Sequence, residues 1–381
     1  MQIKTKMLPL VGAIAFALAG SVFAQEQVVT IGHVGPLTGP NAHIGKDNEN
    51  GAKMAIDELN AKGTMIGGKK VKFVLDGEDD ASDPKLATTV AQKLVDSHVN
   101  GVIGHMNSGT TIPASKIYFD AGIPQISPSA TNPKYTQQGF NTAFRVVAND
   151  GQLGGTLGRY AVDKLKAKNI AVIDDRTAYG QGVAEEFSKG AKKDGATIVS
   201  TQFTNDKATD FNAILTSIKA KKPDLIFFGG MDAVGGPMLR QMKQLGIDAK
   251  FMGGDGLCTT ELAKLAGEGL RDDQVVCAEA GGVPDAGKKA LEDFKVAYQK
   301  KFNQEVVIYA PYVYDALMTM VEAMQQAKSA DPKKYLPFLA KISHKGVTGN
   351  IAFDKKGDIK DGSLTLYTYK GGVRTLLAVT K

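Results

Sequence analysis

Three short segments of the chain combine small hydroxyl residues, glycines and one acid in a pattern suited to binding a small zwitterion. Residues 105–111 (HMNSGTT) and 127–131 (SPSAT) each carry several hydroxyls, and residues 253–256 (GGDG) contain a single carboxylate. Hydroxyls together with the N–H groups at the start of a helix bind a carboxylate well. The acid of the third segment could pair with an ammonium group. An amino acid requires this combination of charges.

Motifs of the common enzyme classes are missing from the sequence. It contains no G-x-S-x-G, no H-E-x-x-H and no catalytic-cysteine signature, and no GxGxxG follows a strand. Residues 39–46 end in Gly-Lys, but the spacing of the glycines and the following Asp47 exclude a P-loop. The five histidines are scattered, without metal-ligand spacing. The acidic run at residues 76–80 (DGEDD) lacks the glycine and the closing glutamate of a calcium-binding EF-hand, so we expect it to be a solvated loop between a strand and a helix. We expect a binding protein with no catalytic residues, no cofactor and no metal; an exported hydrolase remains the enzyme alternative.

Short β-branched runs alternate with amphipathic stretches along most of the chain, which is typical of parallel sheets with helical crossovers. The predicted strands are 28–34, 71–75, 102–104, 124–126, 170–173, 197–200, 225–228 and 275–278. The predicted helices include 182–193, 211–220, 238–244, 288–302 and 311–326, with a further start at Asp83-Pro84 and a C-terminal hairpin over 363–379. In open parallel sheets, ligands bind beyond the carboxyl ends of the strands. The three polar segments follow such ends.

The first 24 residues are predicted to be a signal peptide. Lys4 and Lys6 precede an apolar run over 7–18, and Val22-Phe23-Ala24 provides a cleavage site after Ala24. The run is too short to span a bilayer of about 30 Å. An N-terminal anchor or a core helix is the alternative interpretation. The expected protein is therefore exported.

Length, charge and cysteine content narrow the class of protein further. The mature chain of 357 residues predicts two domains, because single cores stop growing at about 250–300 residues. Its net charge of +4 is spread over single lysines, which argues against a nucleic-acid partner. Cys258 and Cys277 are expected to form one disulfide in an oxidising compartment, with two buried free thiols as the alternative.

A series of segments in a fixed order resembles the branched-chain amino-acid-binding protein family, the periplasmic receptors of ABC importers. They are VGPLTGPNAHIGKDNENGAKMAIDELNAKG, DDASDPKLA, VIGHMNSGTTIPAS, ISPSATNP, DRTAYGQG, FFGGMDAVGGPMLRQMKQLG, FMGGDG and FDKKGDIKDG. Each segment is moderately specific, whereas their order and spacing together are highly specific. The resemblance covers nearly the whole mature chain.

The resemblance implies a type I periplasmic binding fold with two similar α/β lobes and three hinge crossovers. Residues 25–146 and 281–351 would form lobe 1, and residues 147–280 and 352–381 would form lobe 2. Periodicity alone predicts only a simple split near residue 146. The implied protein is a monomer that closes on an amino acid and delivers it to a membrane permease.

The family's ligand contacts carry over to five positions of this sequence. Ser108, Ser129 and Thr131 would hold the α-carboxylate and part of the amino group, Tyr179 would pack on the ligand, and Asp255 would face the ammonium group. The alternative is structural: helix capping for the hydroxyl residues and ordinary packing for Tyr179.

The departures from the family concern the part of the site that selects the ligand side chain. Ile44 and Met231 stand where well-known members have aromatic residues, and Asp255 is one methylene shorter than the familiar glutamate. Ser82 and Asn107 occupy positions where some relatives carry a disulfide. The same fold could therefore bind an amide or aromatic acid, or serve as a soluble sensory protein.

Overall fold

The chain builds two large β-sheets, described by a computed structural model over residues 1–2, 27–283 and 287–380. The predicted signal peptide, 1–24, lies almost entirely outside the described residues. The first sheet, sheet I, has the strand order β2-β3-β1-β4-β5-β6, and all of its neighbours are parallel except β2 and β3. Its strands are β1 (Gln27–Gly35), β2 (Met65–Ile66), β3 (Lys69–Asp79), β4 (Gly101–Gly104), β5 (Gln125–Ser127) and β6 (Ala143–Arg145).

The remaining strands form a second large sheet and a short hairpin. They are β7 (Asn169–Asp174), β8 (Thr197–Phe203), β9 (Leu225–Gly229), β10 (Lys250–Gly253), β11 (Val275–Glu279), β12 (Ser343–Gly346), β13 (Gly349–Ala352), β14 (Leu364–Lys370) and β15 (Val373–Thr380). Sheet II has the order β15-β14-β11-β10-β9-β7-β8, and the last two strands of the chain join it antiparallel. Strands β12 and β13 pair only with each other.

Helices pack against both sheets. They are α1 (Ala42–Ala61), α2 (Pro84–Asp96), α3 (Ser108–Ala121), α4 (Lys134–Gln137), α5 (Asp150–Asp163), α6 (Ala178–Lys193), α7 (Asn212–Lys219), α8 (Asp232–Gln244), α9 (Leu262–Ala266), α10 (Lys288–Phe302), α11 (Ala310–Gln326) and α12 (Pro332–Leu339). Helix α11 packs on α1, β4 and β5 of sheet I, although it follows β11 of sheet II in the chain. The chain thus leaves sheet I after β6, returns to it after β11, and crosses back before β14. The exact lobe boundaries stay a prediction.

The periodicity of the sequence predicted most of these elements. Asp83 caps α2 as expected, because its carboxylate accepts hydrogen bonds from the backbone N–H groups of Lys85 and Leu86. Helix α8 begins six residues earlier than predicted, since Pro237 removes a hydrogen bond in its second turn without ending it. The α/β class with mostly parallel sheets is confirmed.

The acidic run at residues 76–80 differs from its predicted form, which was a solvated loop. Residues 76–79 continue β3. Asp80 is fully buried, and its carboxylate lies 2.9 Å from Nδ1 of His105, whose Nε2 lies 3.0 Å from the Tyr118 hydroxyl. A charged residue is buried here because it has specific polar partners.

Helices α5 and α6 pack unusually closely. A Cβ atom on Gly154 would stand 2.7 Å from the backbone nitrogen of Phe187, and one on Gly158 would stand 2.6 Å from that of Ala191. Only glycine permits this approach. The contact fixes the middle and the end of α6 against α5, and α6 also packs on β7 and β9 of sheet II. Within the described residues, no helix is long and apolar enough to cross a membrane.

Candidate functional site

The predicted ligand residues lie on loops that leave the carboxyl ends of parallel strands. Ser108 opens α3 after β4, residues 127–131 follow β5, and Asp255 lies in a short 3₁₀ turn after β10. Tyr179 stands in the first turn of α6, after β7. This is the edge at which open α/β sheets bind ligands.

The hydroxyls of Ser108 and Ser129 join the two loops of sheet I. Ser108 Oγ accepts a hydrogen bond of 3.2 Å from the backbone nitrogen of Asn132, and Ser129 Oγ donates one of 2.9 Å to the carbonyl of Met106. Both residues are buried. These bonds give the two serines a structural role between the loops, but they are not the helix caps of the alternative interpretation. Each hydroxyl keeps further capacity, because Ser108 can still donate its proton and Ser129 can still accept on its lone pairs.

Thr131 has an unused hydroxyl. The residue is completely buried, and Oγ1 makes no hydrogen bond of ordinary geometry within the described part of the chain. Its carbonyl accepts a 2.8 Å bond from the backbone nitrogen of Asp150. The hydroxyl acts on the nearby Asp150 carboxyl and lowers the pKa of that group. Because buried polar groups in proteins are nearly always paired, Thr131 Oγ1 is the predicted ligand hydroxyl with the clearest capacity to accept a hydrogen bond from a ligand.

Asp255 and Tyr179 form a polar group on the side of sheet II. The backbone nitrogen of Gly256 donates to the Tyr179 hydroxyl over 3.0 Å, and the Tyr309 hydroxyl donates to Asp255 Oδ2 over 2.8 Å. Oδ1 of Asp255 has no partner in the described residues. Burial raises the pKa of Asp255 to about 6, and the two tyrosine hydroxyls oppose a larger rise. At neutral pH this carboxylate is mostly ionised, so it can pair with a cation.

Ile44 and Met231 lie at the same junction between the two halves of the molecule. Ile44 is fully buried in the core, and Met231 is only partly buried against that core. Their neighbours His43 and Asp232 are in contact, with 2.8 Å between Nε2 and Oδ2. A Cβ on Gly256 would stand 2.5 Å from the Met231 sulfur, which places this side chain beside the Asp255 turn.

A cavity of about 380 Å³ lies between the elements of the two sheets, and two of the predicted ligand residues, Tyr179 and Met231, line it. It is lined on one side by Asn41, Ser82, Pro84, Asn107 and Gly109, and on the other by residues that include Arg176, Tyr179, Asn205 and Met231. The Ser82 hydroxyl donates to Asn107 Oδ1 over 2.9 Å, so the two positions that carry a disulfide in some relatives are in contact here. A second cavity, beside Val146 and Ala280, contains none of the predicted ligand residues.

Contacts between residues far apart in the sequence complete the site. The sequence alone did not predict these contacts. Asn132 donates its side-chain amide to the carbonyl of Ala178 over 2.7 Å and so links the sheet I loops to α6. Tyr309 reaches Asp255 from the start of α11, and Asp150 adjoins Thr131. The sequence shows the Thr131-Asn132-Pro133 segment, but no local pattern predicts the contact of Asn132 with Ala178 on α6.

Asp47 explains the position of Tyr309. Its buried carboxylate accepts hydrogen bonds of 2.8–3.1 Å from the backbone N–H groups at the start of α11, which belong to Val307, Ile308, Tyr309 and Ala310. A carboxylate is favourable at a helix N-terminus. Asp47 therefore positions the residue that binds Asp255.

Cys258 and Cys277 form a disulfide, as predicted, with 5.3 Å between their Cα atoms. The bond ties the segment after the Asp255 turn to β11. No cluster of three or more metal-ligating side chains exists within the described residues.

Removing this disulfide is expected to destabilise the protein without changing its fold. For a loop closed by a sequence separation of 19 residues, the double variant C258A/C277A should lose about 3 kcal/mol of unfolding free energy. Urea unfolding measures the loss. A reducing agent should destabilise the wild-type protein and leave the double variant unchanged; equal stability of the oxidised wild type and the variant would contradict the prediction.

Comparisons with known proteins agree with the geometry. The sequence profile of the periplasmic binding protein family matches residues 28–373. "Leu/Ile/Val-binding protein homolog 1" of Brucella abortus is 37% identical over 361 residues, which cover 94% of each chain. The "Leucine-, isoleucine-, valine-, threonine-, and alanine-binding protein" of Pseudomonas aeruginosa is 34% identical, over 95% of this chain and 96% of the relative.

Solved structures show the same architecture. A leucine-binding protein from Thermotoga maritima superposes with a TM-score of 0.84 at 26% identity, over 93% of this chain and 99% of that one. The branched-chain amino acid transporter substrate-binding protein of Streptococcus pneumoniae, solved with isoleucine, gives a TM-score of 0.83 at 29% identity over the same shares. Since a single profile spans nearly all of the described chain and two relatives exceed 30% identity across it, this chain belongs to the periplasmic binding protein family.

Proposed function

We propose that the protein is the substrate-binding component of an ABC importer and that its ligand is a branched-chain or other hydrophobic L-amino acid. The observation that carries the proposal is the pair of buried, unpartnered acceptors Asp255 Oδ1 and Thr131 Oγ1 beside the hydroxyl-rich loops of sheet I. An ammonium group needs such acceptors, and a carboxylate needs the hydroxyls and N–H groups at the start of α3.

The names of the relatives support this ligand class. Those from Brucella abortus and Pseudomonas aeruginosa are named for leucine, isoleucine and valine, and the Streptococcus pneumoniae structure contains isoleucine. In this proposal, Ser108, Ser129 and Thr131 hold the α-carboxylate and part of the amino group, Tyr179 packs on the ligand, and Asp255 faces the ammonium group. Ile44 and Met231 border the ligand side chain.

The two lobes act as a hinged trap in the proposed mechanism. Lobe 1 comprises residues 25–146 and 281–351, and lobe 2 comprises residues 147–280 and 352–381, in agreement with the membership of the strands in sheets I and II. Closure excludes water, which strengthens the ion pair between Asp255 and the ligand. A permease distinguishes the closed lobes from the open ones.

The remaining elements of the proposal concern the protein's setting. It works in the periplasm after a signal peptide is removed behind Ala24, acts as a monomer, and releases its ligand chemically unchanged to the permease. The relatives' names as binding proteins and the family description support the periplasmic binding role.

Calorimetric titration of protein purified without denaturation tests the ligand class. L-leucine, L-isoleucine and L-valine should bind with micromolar or tighter affinity, and D-leucine should bind far more weakly. Because Ile44 and Met231 leave the side-chain preference open, the panel includes neutral amides and aromatic acids. If the folded, ligand-free protein binds no amino acid, the proposal fails; if it binds only an amide or aromatic acid, the fold keeps a transport role with another solute.

The contact between His43 and Asp232 predicts a pH-dependent contribution to closure. It joins α1, on the side of sheet I, to α8, on the side of sheet II, and Asp232 also accepts a 2.5 Å bond from Thr259 Oγ1. Burial lowers the pKa of His43, but the hydrogen bond to Asp232 and its negative charge outweigh burial, so the net pKa is raised. A raised histidine pKa means that the contact is strongest at low pH and is lost as the pH rises through that pKa.

Replacing His43 by alanine should therefore weaken leucine binding about threefold to tenfold at pH 6, allowing for solvent screening of a partly exposed ring, and less at pH 8.5. Calorimetry at the two pH values measures the ratio of variant to wild-type affinity. His344→Ala is the matched control, because His344 pairs with Glu322 within one side of the molecule. A ratio that does not change with pH would contradict the role of His43.

A further inference from the structure

Asp150 is a buried carboxylate that no predicted role uses. It is the first residue of α5, it is completely buried, and neither of its oxygens makes a hydrogen bond of ordinary geometry within residues 27–283 and 287–380. The Thr131 hydroxyl is its polar neighbour, close enough to lower the pKa of the carboxyl group. Placing an unpaired carboxylate in a protein interior costs several kcal/mol. The chain keeps this acid at a position where a neutral residue would avoid that cost.

The surroundings of Asp150 belong to the candidate site. Its backbone nitrogen bonds to the carbonyl of Thr131, and a Cβ on Gly182 would stand 2.5 Å from Asp150 Oδ2 and 2.6 Å from the amide nitrogen of Asn132. The carboxylate thus lies where the sheet I loops meet α6. The charges of Asp150 and Asp255 also act on each other and on Tyr179.

Three residues in this region carry unpartnered, buried acceptor atoms. They are Thr131, through Oγ1, Asp255, through Oδ1, and Asp150. The Thr131 hydroxyl carries one proton, which can serve a single carboxylate oxygen of Asp150. Buried side-chain oxygens normally have partners, so the other Asp150 oxygen and Asp255 Oδ1 indicate a missing donor group. A primary ammonium has three N–H donors and a positive charge, which matches this set.

In the part of the chain that the structure describes, no cationic side chain pairs with Asp150. Arg145 is the nearby positive group, but its Nη1 donates to the carbonyls of Ala130 and Asn132, and its Nη2 donates to Thr136 and Asp358. The guanidinium forms its hydrogen bonds with the loop and with Asp358, and it forms none with Asp150.

We propose that Asp150 is a second ligand-facing carboxylate, which together with Asp255 and Thr131 encloses the cationic end of the bound solute. The site then favours a primary ammonium, and it binds neutral amides and simple carboxylic acids more weakly than amino acids. This inference rests on the proposed function and names the ligand group that the site requires.

Proton release provides a measurable consequence. Burial, followed by the charges of Asp255 and Glu186, raises the pKa of Asp150 to about 8, against the lowering effects of the Thr131 hydroxyl and Arg145. Without ligand, a carboxyl group with this pKa is about 90% protonated at pH 7. Pairing with an ammonium stabilises the ionised form, so ligand binding should expel the proton.

The test is calorimetry of leucine binding at pH 7 in two buffers with different enthalpies of ionisation. The wild-type protein should release about one proton per leucine bound. Asp150→Asn should abolish most of this release and weaken binding about 30-fold or more, since it removes one partner of a buried charged hydrogen bond. Between pH 6.5 and 7.5, the affinity of the wild type should rise with pH relative to that of the variant, because only the wild type must lose a proton.

Glu186→Gln is the control for a general change of charge. Glu186 acts on the Asp150 pKa from α6 but pairs with Lys189, so the variant should keep its affinity within about twofold and its proton release. His43 and Asp255 titrate in both the wild-type protein and Asp150→Asn, so the difference between the two isolates Asp150. No proton release from the wild type, or equal release and affinity in Asp150→Asn, overturns the inference. Both of these outcomes require that leucine binds to the protein. If the proposed function itself fails, no amino acid binds, so the two failures can be distinguished.

Discussion

Replacing Asp255 by alanine is expected to weaken leucine binding by a factor on the order of 10² to 10³, because a buried cation would lose a charged partner. The Asp255 carboxylate is completely buried, and its Oδ1 is unpartnered while Tyr309 occupies Oδ2. At pH 7 it is mostly ionised, since its pKa is about 6. Below pH 6 the wild-type protein should lose affinity as this carboxylate takes up a proton.

The matched ligand for this prediction is 4-methylpentanoic acid, which is leucine without its amino group. Calorimetric competition should show that Asp255→Ala binds this acid as well as the wild type does, or better, because no ammonium is present and a negative charge has been removed. Equal losses for leucine and for the acid would refute the pairing of Asp255 with the ammonium group. Unchanged leucine affinity would also refute it.

Replacing Arg145 by methionine is expected to lower the free energy of unfolding by about 3 kcal/mol or more, because it leaves buried partners unpaired. The side chain of Arg145 is completely buried and bonds to Asp358 and Thr136 and to the carbonyls of Ala130 and Asn132. Methionine preserves much of the volume but supplies no donor. Urea unfolding measures the loss.

Arg145→Met should also weaken leucine binding, since the Arg145 guanidinium holds the loop that contains Thr131. Arg159→Met is the control, because Arg159 is exposed on α5 and donates only to Thr156, and its unfolding free energy should change by no more than about 0.5 kcal/mol. A stable Arg145→Met with unchanged leucine affinity would show that the loop holds its shape without this anchor.

The residues of the candidate site could be predicted in part. All five predicted contacts lie just after the ends of strands: Ser108, Ser129, Thr131, Tyr179 and Asp255. The strand periodicity and the glycine-rich or hydroxyl-rich segments that follow the strands predict these positions. Their roles as ligand contacts stay predictions, and the bonds of Ser108 and Ser129 between the loops give these two a structural role in addition.

Four residues that matter to the site could not be predicted. Asp150 appears in the sequence as an ordinary acid at the start of a helix, and Tyr309 as an aromatic residue before another helix. His43 and Asp232 are separated by 189 residues. None of these has a local pattern, because each contact joins elements that are distant in the chain.

The sequence by itself determined the class of the protein and the positions of its strands, helices and polar loops. Strand and helix periods arise from side chains only a few residues apart, and the disulfide follows from there being two cysteines in an exported chain. Only the tertiary structure decided which loops meet across the two sheets and which carboxylates are buried without a partner. Burial and pairing depend on the whole packed chain, and they determine whether an aspartate is a solvated surface charge, as predicted for Asp80, or a buried functional group.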